Sequence, residues 1–193
     1  MTTALNDLKS ATGVRIAGIV NSSGQSISLD LTLVQGKGCS GSMSLAGKGS
    51  LKLVYLNKHL WLKPDNQFYK SVGAGAAVSL LSGKWLQPGQ NSGLSDFSTF
   101  CTVSGIAGSF AKNTPKGLTK AAGTPINGQP TVMIKDTADS SAMYVSEAAT
   151  PEVLRIAKPG TDGGHIDFSG YGAPVTISAP PADQTINGAQ FGF

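Results

Sequence analysis

From Ile27 to Leu33 the chain alternates without interruption. Ile27, Leu29, Leu31 and Leu33 are apolar, and Ser28, Asp30 and Thr32 between them are polar. Successive side chains of a strand point to opposite faces, so a period of two gives one dry face and one wet face. A helix would scatter the same residues around its axis. The neighbouring segments continue the pattern. Val14 to Val20 reads as a strand, and so do Cys39 to Leu45, Ser50 to Asn57 and His59 to Leu62. Between them lie Asn21-Ser22-Ser23-Gly24, Gly36-Lys37-Gly38 and Gly47-Lys48-Gly49, and Lys63-Pro64-Asp65 ends the run. Those are turn residues, and the first third is therefore a meander of hairpins. Ahead of it, Thr3 to Thr12 reads as a short helix with Ala4, Leu5, Leu8 and Ala11 on one face, stopped by Gly13.

The middle loses the alternation. Phe68 to Lys70, Ala74 to Leu81 and Phe97 to Phe110 carry Ala, Leu and Phe at helical spacing, broken by Gly and Pro. They read as short helices around an extended piece, Gly83-Lys84-Trp85-Leu86. Alternation then returns in Lys116 to Gly123, Pro130 to Asp136, Ala142 to Ser146, Val153 to Ala157, His165 to Ser169 and Val175 to Ser178. Asn127-Gly128 is a hairpin signal within this second meander. Strands and helices come in blocks, which predicts α+β with an antiparallel sheet and excludes an alternating βαβ fold. The arrangement that buries both apolar sets most simply is a curved antiparallel sheet with short helices packed over its concave face. A length of 193 residues fits one domain, residues 1–193.

Chemistry-bearing residues are scarce. Charged residues make up 13% of the chain, about half the usual share. The two histidines are His59 and His165, and His165 shares a strand face with Asp167. With a serine from another strand this would sketch a catalytic triad. No G-x-S-x-G elbow supports it, and the pair reads as a surface pair. Two histidines with scattered acids do not make the three or four converging ligands a metal needs. The chain is expected to be no enzyme and to carry no metal or other cofactor. Its net charge is +4, but the lysines are scattered without a basic run, which argues against a nucleic-acid partner. A cationic surface beside an anionic membrane and ordinary solubility are both consistent with that charge.

Cys39 and Cys101 stand 62 positions apart. They lack metal-ligand spacing and form no C-x-x-C. Closing such a loop would stabilise the fold by about 4 kcal/mol in the chain-entropy model. Two unrelated buried thiols remain the alternative; the disulfide is the favoured reading, and it implies an oxidising compartment. No apolar stretch is long enough to cross a bilayer. Met1-Thr2-Thr3-Ala4 has neither the basic start nor the apolar middle of a signal peptide. A cytosolic protein and a secreted one whose leader has been removed would both begin this way.

The remaining constellation is apolar. Leu29, Leu31, Leu33, Met43, Leu45, Leu51 and Leu53 are expected on the concave face of the first half of the sheet. Leu80, Leu81, Phe97, Phe100, Ile106 and Phe110 are expected to face them from the helices. Either the two sets pack together, or they stay partly apart and leave a pocket for an acyl chain. Lys63 and Lys70 are the lysines placed for an anionic head group at its mouth, unless they are simply solvated turn residues. If the fold is closed instead, Tyr55, Trp61, Phe68, Tyr69 and Trp85 are the aromatics available to a protein interface.

Several segments in order resemble actinobacterial surface lipoproteins of the LppX/LprG type. They are Val14 to Gly18, Ile27 to Leu33, Gly36 to Gly41, Tyr55 to Pro64 and Gly83 to Leu86, then Asn127 to Pro130, Leu154 to Ile156 and Val175 to Pro181. The resemblance covers nearly the whole chain. It implies a half-open antiparallel β-barrel with helices filling its mouth, similar in architecture to the LolA and LolB lipoprotein carriers. It further implies an exported, non-enzymatic protein that holds acyl lipids or glycolipids between sheet and helices. Such a protein is a monomer tethered to the membrane of the cell envelope through a lipidated N-terminal Cys. That Cys and its leader are absent from this chain, and the family's cavity residues follow no fixed motif.

Overall fold

The first meander forms as the alternation predicts. After a helix α1 (Thr2–Ser10) come β1 (Gly13–Ser22), β2 (Gln25–Val34), β3 (Gly38–Leu45), β4 (Gly49–Leu56) and β5 (His59–Pro64). Each strand pairs antiparallel with the next. The middle of the chain supplies α2 (Asn66–Ser71), α3 (Val78–Leu81), β6 (Trp85–Gln87) and a 3₁₀ helix over Gly93–Cys101. The second meander is β7 (Leu118–Ala122), β8 (Thr131–Asp136), β9 (Ala142–Ser146), β10 (Val153–Lys158) and β11 (Gly164–Ser169), and β12 (Thr185–Asn187) lies near the C-terminus. These elements belong to a computed structural model that describes residues 2–22, 24–89, 91–103, 105–106 and 117–193. The predicted helical stretch beyond Ile106, including Phe110, and Lys116 at the start of the predicted strand lie outside the described residues.

Among the described residues all twelve strands belong to one sheet, in the order β12-β6-β5-β4-β3-β2-β1-β11-β10-β9-β8-β7. The two meanders join where β1 pairs antiparallel with β11, through Ile16 opposite Phe168 and Gly18 opposite Ile166. The ends of the order, β12 and β7, do not pair with each other, so the curved sheet stays unclosed. The predicted strand Val175–Ser178 is not one; that segment joins no ladder. Both edges of β11 are already occupied by β1 and β10, so the chain after β11 has no free strand beside it. Pro174, Pro180 and Pro181 bracket the segment and lack the N–H a ladder needs. The chain instead reaches the far end of the sheet, where Thr185–Asn187 pairs parallel with β6. That pairing makes an otherwise antiparallel sheet mixed.

A single row of direct cross-strand partners carries the core: Leu86, Leu62, Leu53, Gly41, Leu31, Ile16 and Phe168. Its six side chains are all buried. Partners opposite one another share a face and lie within contact distance, so each strand extends the same apolar stripe. Over it lie Ala4 and Leu8 of α1, with Phe97, Phe100 and Ile106 packed from the middle segment. Gly41 is required in this row: its φ is 155°, and a Cβ there would run into the carbonyl of Asp30 on β2. A glycine inside a strand marks such close approach or a bend. The opposite face is polar. Arg15 pairs with Asp30 at 2.7 Å, and the Arg155 guanidinium meets Asp167 bidentately, with one contact of 2.7 Å.

Asp65 fastens the first helix after the meander. Its carboxylate accepts from Phe68 N at 2.7 Å as the N-cap of α2, and from Ser50 N and Oγ at 2.8 Å each on β4. Partial burial pushes its pKa up, but the hydrogen bonds from Phe68 and Ser50 outweigh this and the net shift is downward. A carboxylate whose folded pKa is depressed stabilises the fold above its unfolded pKa, and that contribution fades as pH falls through the folded value. Replacing Asp65 by Ala should cost about 1–2 kcal/mol in urea denaturation at pH 7. The deficit should shrink as the pH is lowered into the carboxylate range. A cost that does not change with pH would rule out the carboxylate as the fastening group.

Candidate functional site

Val14, Leu33, Cys39 and Tyr55 are successive cross-strand partners on β1, β2, β3 and β4. They form the last apolar row at one end of the concave face. Above this row the disulfide between Cys39 and Cys101, with Cα atoms 5.2 Å apart, pins the end of the 3₁₀ helix to the sheet. The last turns of α1 close the opposite side. Gln35 Nε2, in the turn after β2, donates to the carbonyl of Lys9 at 3.0 Å and ties that helix end to the turn. Sheet, helix end and disulfide do not meet completely. They enclose a pocket of about 690 Å³, within the roughly 300–1,000 Å³ usual for small-molecule sites. Its apolar wall is Leu8, Val14, Leu33, Tyr55 and Val103, with Cys101 above.

The rim is cationic. Lys9 comes from the last turn of α1, Lys37 from the β2–β3 turn and Lys58 from the β4–β5 turn, and all three line the pocket. The two hairpin turns lie side by side, with Asn57 N donating to the carbonyl of Lys37 at 3.3 Å. Lys63 and Lys70, the lysines expected at the mouth, do not line it. Lys63 Nζ stands 5.9 Å from the ring centre of Trp85, and Lys70 is exposed in the last turn of α2. A second hollow of about 810 Å³ involves the other side of β2 to β5 and is lined chiefly by Ser28, Asp30, Ser42, Ser44, Lys52 and Lys63. Although larger, and bordered also by Leu29, Met43, Leu51 and Pro64, it is lined mostly by Ser, Asp, Asn, Gln and Lys residues, and the smaller pocket is the better candidate for an acyl chain.

Alternation assigned the strand residues to the right face. Leu29, Leu31, Leu33, Met43, Leu51 and Leu53 are buried in one cluster, and Leu45 is half-buried against it. From the middle segment Ile106 is buried in the same cluster, and Phe97 and Phe100 pack on it half-buried. Leu81 is buried too, but Leu80 points into solvent, 59% exposed. Among the described members of the set only Leu33 lines this pocket, while Leu29, Met43 and Leu51 border the second hollow. Period two reveals which face a residue occupies, but not how far along the strand the covering helices separate from it. Leu8, Val14, Tyr55 and Val103 were therefore missed, together with the three lysines. The one sequence signal for them was the lysine at the tip of each of two turns.

The five aromatics expected at an interface do not form one outward patch. Phe68 and Tyr69 are buried, and Tyr55 belongs to the pocket. The Tyr69 hydroxyl has no hydrogen-bond partner among the described residues, and burial pushes its pKa up to about 12. Trp61 and Trp85 are half-buried, Trp61 with its ring 5.8 Å from that of His59. The Asp167 carboxylate is held by Arg155, with no hydrogen bond to His165. Among the described residues no three His, Cys, Asp or Glu side chains converge as metal ligands, and no helix is long and apolar enough to cross a membrane.

No protein-family model matches the chain, and no curated protein matches it. Among solved structures it is similar to the crystal structure of the lipoprotein LppX of Mycobacterium tuberculosis. The TM-score is 0.58 at 13% sequence identity, over 92% of this chain and 95% of that one. A likeness at that identity concerns the fold, and it is the fold that the sheet order and the covering helices had already described: this chain has an LppX-like fold, a curved unclosed sheet with short helices over its concave face.

Proposed function

We propose that residues 1–193 act as one non-enzymatic domain that holds an acyl lipid or glycolipid at the cell envelope. The observation that carries this reading is the pocket at the end of the concave face, apolar in its wall and bordered by three lysines. The tail lies over Leu33 and Tyr55, against Leu8, Val14 and Val103. The wider apolar set, Leu29 to Leu53 on the strands with Leu81, Phe97 and Phe100, is packed as core, so a longer tail is held there only where the covering helices part from the sheet. Each methylene taken out of water contributes about 0.8 kcal/mol, so a long chain is retained without any charged contact. The LppX-like fold supports this reading, since LppX is a lipoprotein. The disulfide supports an extracytoplasmic location. In this reading the domain is a monomer, and a lipidated Cys beyond the N-terminal end of the chain anchors it to the membrane.

Native mass spectrometry of the purified protein, with lipid extraction of the same sample, tests the proposal. The expected result is a discrete mass excess that matches an extracted acyl lipid. A bare mass that stays bare after incubation with diverse acyl lipids would overturn it and favour a closed module that binds another protein.

A further inference from the structure

Three lysines from distant segments, Lys9, Lys37 and Lys58, meet around one apolar pocket, and no carboxylate lines it among the described residues. The turn that carries Lys58 adds an independent observation. Asn57 and Lys58 have φ of 52° and 67°, the left-handed pair of a two-residue hairpin. The second position of such a turn favours glycine, and it holds a lysine here. Lys37 is presented similarly, at the tip of a turn between Gly36 and Gly38, and the hydrogen bond from Asn57 to its carbonyl holds the two tips together. Lys9 stands in the last turn of α1, where the Gln35 side chain fixes the helix end. The charges are thus held by backbone geometry at the border between apolar wall and water. A long amphiphile whose tail lies on Leu33 and Tyr55 would place its polar end there.

Resting on the lipid-holding reading above, we propose that the pocket selects amphiphiles with an anionic head group, which Lys9, Lys37 and Lys58 bind jointly. Cationic side chains grouped without counter-charges at a site favour negative ligands and disfavour cationic ones. The tail supplies retention, and the lysines supply the choice among head groups.

The test compares two lysolipids with the same myristoyl tail, lysophosphatidylglycerol (anionic) and lysophosphatidylcholine (zwitterionic), titrated below their micelle-forming concentrations. The anionic lipid should bind about tenfold or more tightly at low ionic strength, and the gap should narrow at high salt. The combined variant Lys9→Gln, Lys37→Gln, Lys58→Gly should abolish the preference, bringing the affinities for the two lipids to within about twofold of each other. Lys58→Gly alone relieves the left-handed turn, so it should keep the fold and still reduce the preference about threefold. The variant Lys48→Gln, Lys84→Gln, Lys135→Gln changes the net charge equally at other sites and should retain the preference. Equal binding of the two lipids to the unaltered protein, or the same loss in the control variant, would overturn the head-group assignment and leave the lipid-holding reading standing. Binding of neither lipid would overturn both. Inorganic phosphate alone should not compete at concentrations near those of the lipid; effective competition would mark a free-anion site and overturn the assignment.

Discussion

A chain carrying Cys39→Ala and Cys101→Ala is expected to lose about 4 kcal/mol of stability, from the entropy of an unfolded loop no longer closed over 62 residues. For a domain of this size that corresponds to a fall in Tm of about 8–16 °C. The effect should exceed that of almost any single surface change, because the bond joins β3 to a 3₁₀ helix separated from it in the chain by β4, β5, α2, α3 and β6. Both cysteines are buried, so alanine also leaves a small void beside the pocket. Urea denaturation of the two forms, with the unaltered protein measured with and without reductant, gives the number. A loss of under about 1 kcal/mol would show that Phe97, Phe100 and Ile106 hold this segment on the sheet by packing alone.

The second large effect is expected at Leu31. It has no exposed surface and sits in the middle of the cross-strand row, between Ile16 and Gly41. Leu31→Ala should cost about 3–5 kcal/mol, the lost transfer energy plus the void that a sheet paired on both sides cannot close. Leu80→Ser, at a residue the helical spacing placed on the same apolar surface, should change stability by no more than about 0.5 kcal/mol because that side chain is in solvent. The pair makes the comparison sharp: two leucines equivalent in composition, separated only by where the fold put them. Equal costs at the two positions would contradict the burial described here.

Leu80 also shows why the middle of the chain was harder to read than its ends. In a strand the period of two fixes the face of every residue at once, so a correct assignment of Leu31 carries Leu29 and Leu33 with it. The middle segments are short: α3 has four residues, and the Phe97 region is a 3₁₀ helix ending at Cys101. One turn of helix has no face that repeats, so its spacing cannot distinguish Leu80 from Leu81. The lost strand at Val175–Ser178 has a different origin. Its residues suit a strand, but β11 had no free edge to offer, and pairing decides what local preference only permits.

By itself the sequence determined the strands of the first meander and those of the second except at Val175–Ser178, most of their turns, the apolar face of most strands and the α+β order, and it favoured the two cysteines as partners for a cross-link. These are properties of neighbours in the chain, set by alternation and by residues that tolerate a turn. Only the tertiary structure decided that β1 meets β11 and joins the meanders, that β12 reaches β6 in parallel, and that Cys101 lies over Cys39. It alone brought Lys9, Lys37 and Lys58 to one rim. Those contacts link residues far apart in sequence. No local period encodes them; they follow from which edges remain unpaired and which apolar faces remain uncovered once the local elements have formed.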